Sequence, residues 1–100
     1  MFKHVIAGRN GTIYAINHQG ELLWFRYLGF QDGSIQWERT TGVKIGSGWG
    51  EFHRVMASSD GVIYAIHPSG ELYWYRHLGH ETGEGTWANN GSGLLVGTGW

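Results

Sequence analysis

The 100-residue chain carries seven Lys and Arg against eight Asp and Glu, contains no cysteine, and is 41% hydrophobic. This balance suits one small domain and argues against a nucleic-acid partner, because no excess of positive charge is available to hold phosphates. It also excludes disulfide frameworks and cysteine zinc sites, and no stretch approaches the roughly 20 apolar residues of a membrane-spanning helix.

Tight turns divide the first half of the chain into short apolar segments. The pair Asn10-Gly11 lies between two such segments, and NHQG (17–20) lies between the next two. An Asn-Gly pair flanked by apolar runs predicts a β-hairpin, because type I′ turns need positive φ at both central residues. No run of ten residues has helical periodicity free of glycine, so we expect no helix. The predicted strands are FKHVIA (2–7), TIYAI (12–16), ELLWFRYL (21–28) and a fourth from about Trp37 through VKIG.

The second half of the chain repeats the first. Residues 2–37 align with residues 52–87 at 17 identities in 36 positions, and 45–49 then pairs with 96–100 after one inserted residue. A period near 50 with frequent turn signals is typical of propeller blades, which are four-stranded antiparallel units. We therefore predict an all-β chain of two such blades, residues 1–50 and 51–100.

The predicted strands are apolar at consecutive positions, so both faces of each sheet need cover. Two blades alone leave two outer faces bare, and we expect homo-oligomerisation to complete the propeller. Three chains would make six blades, whereas five chains sharing two five-bladed rings would make ten. Across the seam between chains, Trp100 would approach Phe2 of the next chain much as Trp49 approaches Phe52 within one chain.

A family likeness is carried by IGSGW followed by Phe52, by DGVIYAIHPSGELY (60–73) and by the solitary Trp87. This ordered set resembles the propeller-type tachylectins and their bacterial relatives, over nearly the whole chain. The resemblance implies five-bladed lectins with one site per blade for N-acetylglucosamine or N-acetylgalactosamine. The loops LGFQDGSIQW and LGHETGEGTW depart from the Pro-Pro and Asp-Asn pattern frequent in that family, so their sugar contacts are expected to differ.

Sugar recognition needs aromatic rings that stack on the sugar and polar groups that bind its hydroxyls and acetamide. Equivalent residues of the two repeats meet this need, with blade packing as the alternative role for the tryptophans. For Arg26 and Arg76 the alternative is an internal ion pair with Glu21 and Glu71. The candidate sugar-binding residues are Trp24, Arg26, Tyr27, Asp32, Trp37, Trp74, Arg76, His77, Glu84 and Trp87.

Other chemistries find little support in the sequence. The His spacing in HLGH (77–80) has the counterpart YLGF (27–30), so no metal site recurs per blade, and we expect no cofactor. Each repeat keeps one acid, whereas glycoside hydrolysis needs two, so we expect no enzyme. The competing function is a self-assembling propeller scaffold without a ligand. Residues 1–8 lack the apolar stretch of a signal peptide, and the compartment stays undetermined.

Overall fold

The computed structural model describes residues 2–38 and 42–100. These residues form two four-stranded antiparallel sheets and contain no α-helix, which confirms the predicted all-β fold. No helix in these two ranges has the length and apolarity to cross a bilayer. Sheet 1 has the order β1 (Phe2–Ala7), β2 (Thr12–Asn17), β3 (Leu22–Arg26), β4 (Val43–Gly46), and sheet 2 has the order β5 (Arg54–Ala57), β6 (Val62–Ile66), β7 (Leu72–Arg76), β8 (Leu94–Gly97).

The first hairpin of each sheet closes through the predicted pair of turn residues. Asn10 and Gly11 have φ of 57° and 81°, and Asp60 and Gly61 have φ of 60° and 78°. Both pairs therefore occupy the left-handed region that a tight hairpin turn needs. A β-carbon on either glycine would also collide with a carbonyl oxygen at the start of the β3–β4 or β7–β8 loop, so only glycine fits there.

The fourth strand of each sheet begins later than predicted. Trp37 and Trp87 each make one isolated pairing, with the residue that follows β3 or β7. Sheet 2 then turns through Ala88–Gly91 before β8 starts, because two asparagines in that turn have positive φ and interrupt the extended backbone. In sheet 1 the corresponding stretch includes residues 39–41, which lie outside the described residues.

The two sheets stack face to face around one apolar core. Alternate side chains of β2 and β3, among them Tyr14, Leu22 and Trp24, are buried there, and Ile63 and Ala65 of β6 belong to the same cluster. The first strands, β1 and β5, lie next to each other. This arrangement is that of neighbouring propeller blades, and it leaves one face of each sheet uncovered. We call the facing surfaces the inner faces and the uncovered ones the outer faces.

Both outer faces are apolar. On sheet 1, Phe2, Val5 and Trp37 are at least 39% exposed, and they border a concavity of about 510 Å³ together with Ile13, Ala15 and Phe25. On sheet 2 the exposed apolar side chains are Met56, Leu94, Val96 and Trp100. Surface of this kind is typical of an interaction face.

Candidate functional site

A polar cleft of about 130 Å³ lies between the two sheets. The strands of each sheet alternate in direction, so the turn after the first strand and the loop after the third emerge at the same end. At this end the β1–β2 turn, the β5–β6 turn and the β7–β8 loop border the cleft, which we call the inter-sheet cleft. Its polar character comes from Arg9, Asn10, Arg26, Asp60, His80 and Glu81.

Arg26 spans this cleft from the end of β3. Its Nη1 donates a hydrogen bond of 3.1 Å to the backbone oxygen of Glu81 in the β7–β8 loop. Its Nε is buried and has no hydrogen-bond partner. A buried donor left without a partner costs roughly 1–3 kcal/mol.

The predicted alternative of an Arg26–Glu21 ion pair is wrong. The Glu21 carboxylate instead lies 3.1 Å from Lys44 Nζ and accepts a hydrogen bond from Asn17, and both interactions lower its pKa. An offset of five residues puts two side chains on opposite faces of an extended segment, which is why Glu21 does not reach Arg26.

The equivalent residues of sheet 2, Glu71 and Arg76, do not form an ion pair with each other either. The Glu71 carboxylate accepts hydrogen bonds from Tyr73 Oη and Ser69 Oγ. Arg76 Nε donates to the backbone oxygen of Asp60 at 3.0 Å. The corresponding Nε of Arg26 has no such partner, so the two arginines differ in the donor they leave free.

Trp24 lies beneath the β7–β8 loop and not on the surface. It is 1% exposed, and its Nε1 donates a 2.9 Å hydrogen bond to the backbone oxygen of His80. Gly83 lies directly on the indole, where a β-carbon would come 2.7 Å from a ring carbon. Thr12 Oγ1 donates to the same His80 oxygen at 3.4 Å. A buried ring has no face to offer a sugar, so Trp24 supports the loop by packing.

His77 is fully buried where the β7–β8 loop leaves the sheet. Its Nε2 lies 2.7 Å from the backbone oxygen of Glu84, and its Nδ1 lies 2.8 Å from Tyr14 Oη on the opposite sheet. A carbonyl oxygen only accepts, so Nε2 carries the ring proton and Tyr14 donates to Nδ1. Burial lowers the pKa of His77 and raises that of Tyr14, which keeps both groups neutral at pH 7. His77 therefore has no surface for direct sugar contact.

The corresponding residues of sheet 1 lie near its outer face. Tyr27 and Trp37 have ring centroids 4.8 Å apart, and Tyr27 Oη donates to the backbone oxygen of Ser34. Asp32 accepts a hydrogen bond from the Ser34 backbone N–H, which lowers the pKa of its carboxyl. These side chains hold the β3–β4 loop in shape, and none of them lines the inter-sheet cleft.

Trp87 occupies the contact between the sheets. Its Nε1 donates a 2.8 Å hydrogen bond to the backbone oxygen of Ile45, and its ring stacks on Trp49 with centroids 5.8 Å apart. Trp49 in turn contacts Phe52 at 5.3 Å, and both are buried. Phe2 and Trp100, the other two predicted seam residues, are exposed at the outer faces.

The remaining predicted site residues are dispersed. Trp74 is half-buried, on the outer face of sheet 2, and the carboxylate of exposed Glu84 accepts from Thr82 Oγ1 within the loop. Arg26 is thus the one predicted side chain that lines the cleft, while Trp24, His77 and Glu84 anchor or shape the loop beside it. Within the described ranges no three His, Asp or Glu side chains converge as a metal site.

Sequence reasoning missed the polar residues that the two hairpin turns bring to the cleft. The sequence predicts turn positions for Asn10 and Asp60 and a strand position for Tyr14. The signal that was available is the repeat itself, because equivalent turns of adjacent blades must emerge at the same end. Which of their side chains face each other depends on the stacking of the sheets, which the pattern of residues does not contain.

Comparison with known proteins adds the family. The family model described as Tachylectin matches residues 1–100, so the similarity extends over both sheets and the connection between them. None of the curated proteins compared with the chain matches it.

Proposed function

This chain belongs to the tachylectin family, and we propose that it binds N-acetylated hexosamines in the inter-sheet cleft. The family is a lectin family and not an enzyme family, so membership indicates lectin-type carbohydrate binding. N-acetylglucosamine and N-acetylgalactosamine are the sugars of this class that we assign to the cleft.

The observation that carries this proposal is the Arg26 guanidinium, which lines the cleft together with polar groups of both sheets. Its buried Nε lacks an acceptor, and the cleft beside it also presents Asn10, Asp60 and Glu81. A sugar offers acetamide and hydroxyl oxygens as acceptors for the guanidinium, and hydroxyl protons for the carboxylates. Charge-assisted hydrogen bonds of this type are the stronger ones.

The size of the cleft favours a shallow mode of binding. Its volume of about 130 Å³ lies well below the roughly 300–1,000 Å³ of pockets that enclose a drug-sized ligand. One edge of a hexosamine would enter while the rest of the ring stays exposed. A site of this depth is weak when single, so useful affinity requires several sites on one particle.

Assembly of several chains supplies that multivalency in our proposal. The apolar outer face of sheet 1 would receive the outer face of sheet 2 from the next chain, which repeats the contact between sheets inside one chain. Trp100 would then lie against Phe2 of its neighbour. Three chains closing six blades, or five chains sharing two five-bladed rings, would present several clefts and raise avidity by about 10²–10⁴ over a single site.

The test of the sugar site is a calorimetric titration of the assembled protein with N-acetylglucosamine and N-acetylgalactosamine, with glucose for comparison. Arg26→Gln removes the charged guanidinium group and is expected to weaken N-acetylhexosamine binding about 10-fold or more. Lys44→Gln removes an exposed positive charge outside the cleft and is the matched control, with affinity expected to stay unchanged. Equal losses in both variants would contradict the assignment of Arg26.

The second candidate function is a propeller scaffold without a ligand, which the two apolar outer faces favour on their own. A folded, assembled sample that binds neither sugar at millimolar concentration would support the scaffold and overturn the lectin site.

A further inference from the structure

We propose that His77 is a positioning residue that makes the inter-sheet cleft sensitive to acid, by holding the β7–β8 loop against sheet 1 only while its imidazole is neutral. The proposal rests on the proposed function in one respect, since the cleft is the site assigned to the sugar. The contact between His77 and Tyr14 is itself independent of any ligand.

The loop that His77 holds forms one wall of the cleft. Side chains of sheet 1 donate hydrogen bonds to backbone oxygens of the loop, with Thr12 and Trp24 donating to His80 and Arg26 donating to Glu81. At the base of the loop, the His77 ring joins Glu84 on its own side to Tyr14 on the other sheet. Release of this contact would therefore remove one of the hydrogen bonds that join the loop to sheet 1, and would loosen the wall that carries His80 and Glu81.

Proton uptake is incompatible with this contact as it stands. In the neutral ring, Nδ1 accepts from Tyr14 Oη and Nε2 donates to a carbonyl oxygen, so both nitrogens are already used. A proton on Nδ1 would force the Tyr14 hydroxyl to turn its own proton away and to accept instead of donate. It would also place a positive charge in a fully buried position whose two hydrogen-bond partners include no carboxylate.

The groups around the ring shift the pKa of His77 in both directions, and burial has the largest effect. His80, on the same loop, adds to the effect of burial in lowering the pKa of His77, whereas the Glu84 carbonyl opposes it. Arg26, Asp60 and Glu81 line the cleft that Tyr14 also borders, and no carboxylate contributes to the shift in the pKa of His77.

The sign of the pH effect follows from these contacts. The closed loop binds fewer protons than an opened loop, whose imidazole would have an ordinary pKa of about 6.5. The contact is therefore intact above about pH 7 and is weakened as the pH falls below 6.5. Between pH 7.5 and 5.0 the opening equilibrium rises by up to about 30-fold.

The chain contains its own control for this effect. At the position equivalent to His77, sheet 1 has Tyr27, which has a phenol in place of the imidazole and whose hydroxyl donates to the Ser34 backbone oxygen. The β3–β4 loop is otherwise built alike, with Leu28 N–H donating to Gln36 as Leu78 N–H donates to Thr86. Only the β7–β8 loop should respond to acid.

The test is amide hydrogen exchange of the full chain by NMR at pH 7.5 and pH 5.0, corrected for intrinsic rates. We expect the protection of the Leu78 and Gly83 amides to fall by up to about 30-fold in the wild type. The Leu28 and Gly33 amides should keep theirs. His77→Gln retains a donor and an acceptor but cannot titrate, so its loop should not respond. His18→Gln, in the exposed β2–β3 turn, is the matched control and should respond as the wild type does.

Three results would overturn the proposal: no loss of protection in the wild type, the same loss in His77→Gln, or equal losses in both loops. Direct NMR titration of the wild-type imidazoles gives a second measurement that does not depend on the variant folding. We expect His77 to titrate below the ordinary histidine pKa of about 6.5, and titration at or above that value would also overturn the proposal.

Sugar binding is measured in parallel at both pH values. N-acetylglucosamine affinity should fall on acidification in the wild type and stay constant in His77→Gln, and a fall in both would overturn the link to the cleft. If no sugar binds at either pH, the exchange data still decide whether His77 holds the loop, and the failure belongs to the sugar assignment alone.

Discussion

The inner face of sheet 1 and the outer face of sheet 2 have nearly the same sequence pattern and opposite exposure. Trp49 is 5% exposed on the inner face, whereas its repeat counterpart Trp100 is 69% exposed. Ile45 and Val96 differ in the same way, at 7% and 54%. The same sequence pattern is therefore buried where the other sheet of the chain covers it and exposed where no sheet of the chain does.

The largest expected difference between the two faces concerns Trp24 and Trp74. Trp24→Ala removes a buried ring and its hydrogen bond to the loop, and should lower the free energy of unfolding by about 3–5 kcal/mol. Trp74→Ala, at the half-buried position of the outer face, should cost clearly less in dilute solution. Denaturant unfolding at low protein concentration measures both, and equal losses would show that the outer face is covered within one chain.

The two hairpin loops offer the next comparison. Gly61 has φ of 78° and no room for a β-carbon, whereas Gly33 has the same φ and open space around it. Gly61→Ala should therefore lower the free energy of unfolding by about 2–3 kcal/mol, and Gly33→Ala by about 1 kcal/mol, which is the cost of the backbone conformation alone. Thermal or denaturant unfolding separates them, and an inverted order would contradict the close approach of the β5–β6 turn to the β7–β8 loop.

The smallest expected change in the stability of the single chain comes from replacing Trp100. The same replacement should have a large effect on assembly. Trp100→Ala should weaken chain association by about 2 kcal/mol, or roughly 30-fold, because a buried aromatic anchor would be lost from the proposed seam. Its effect on unfolding of the dilute chain should be slight, since the ring is mostly exposed there. Native mass measurement checks the first expectation. An unchanged oligomer would contradict the placement of Trp100, and a wild type that stays monomeric would contradict the ring.

Much of the fold was predictable, because hairpins are specified by the residues of their own turns. The first hairpin of each sheet is specified by a turn pair whose φ values few residues adopt, so Asn10-Gly11 and Asp60-Gly61 predict where β1 and β5 end and where β2 and β6 begin. The fourth strands were placed too early because a tryptophan with β-propensity does not reveal that the next residues turn. In sheet 2 that turn is made by Asn89 and Asn90, whose positive φ is a property of the final backbone.

The site was less predictable than the fold. Trp24, Arg26 and His77 are all repeat positions with chemistry suited to sugar binding, yet one packs, one lines the cleft and one holds the loop. Their residue types and spacing are the same in any of these roles. What distinguishes them is how much of each side chain the opposite sheet covers.

By itself the sequence determined the strands, the hairpin turns, the two-fold repeat and the apolar character of both sheet faces, because each of these depends on neighbouring residues or on alternation along a strand. Only the tertiary structure decided that Arg26 keeps a free buried donor, that His77 is joined to Tyr14, and that the cleft lies between the sheets. These features depend on contacts between residues 55 to 63 positions apart, and such contacts follow from the stacking of one sheet on the other.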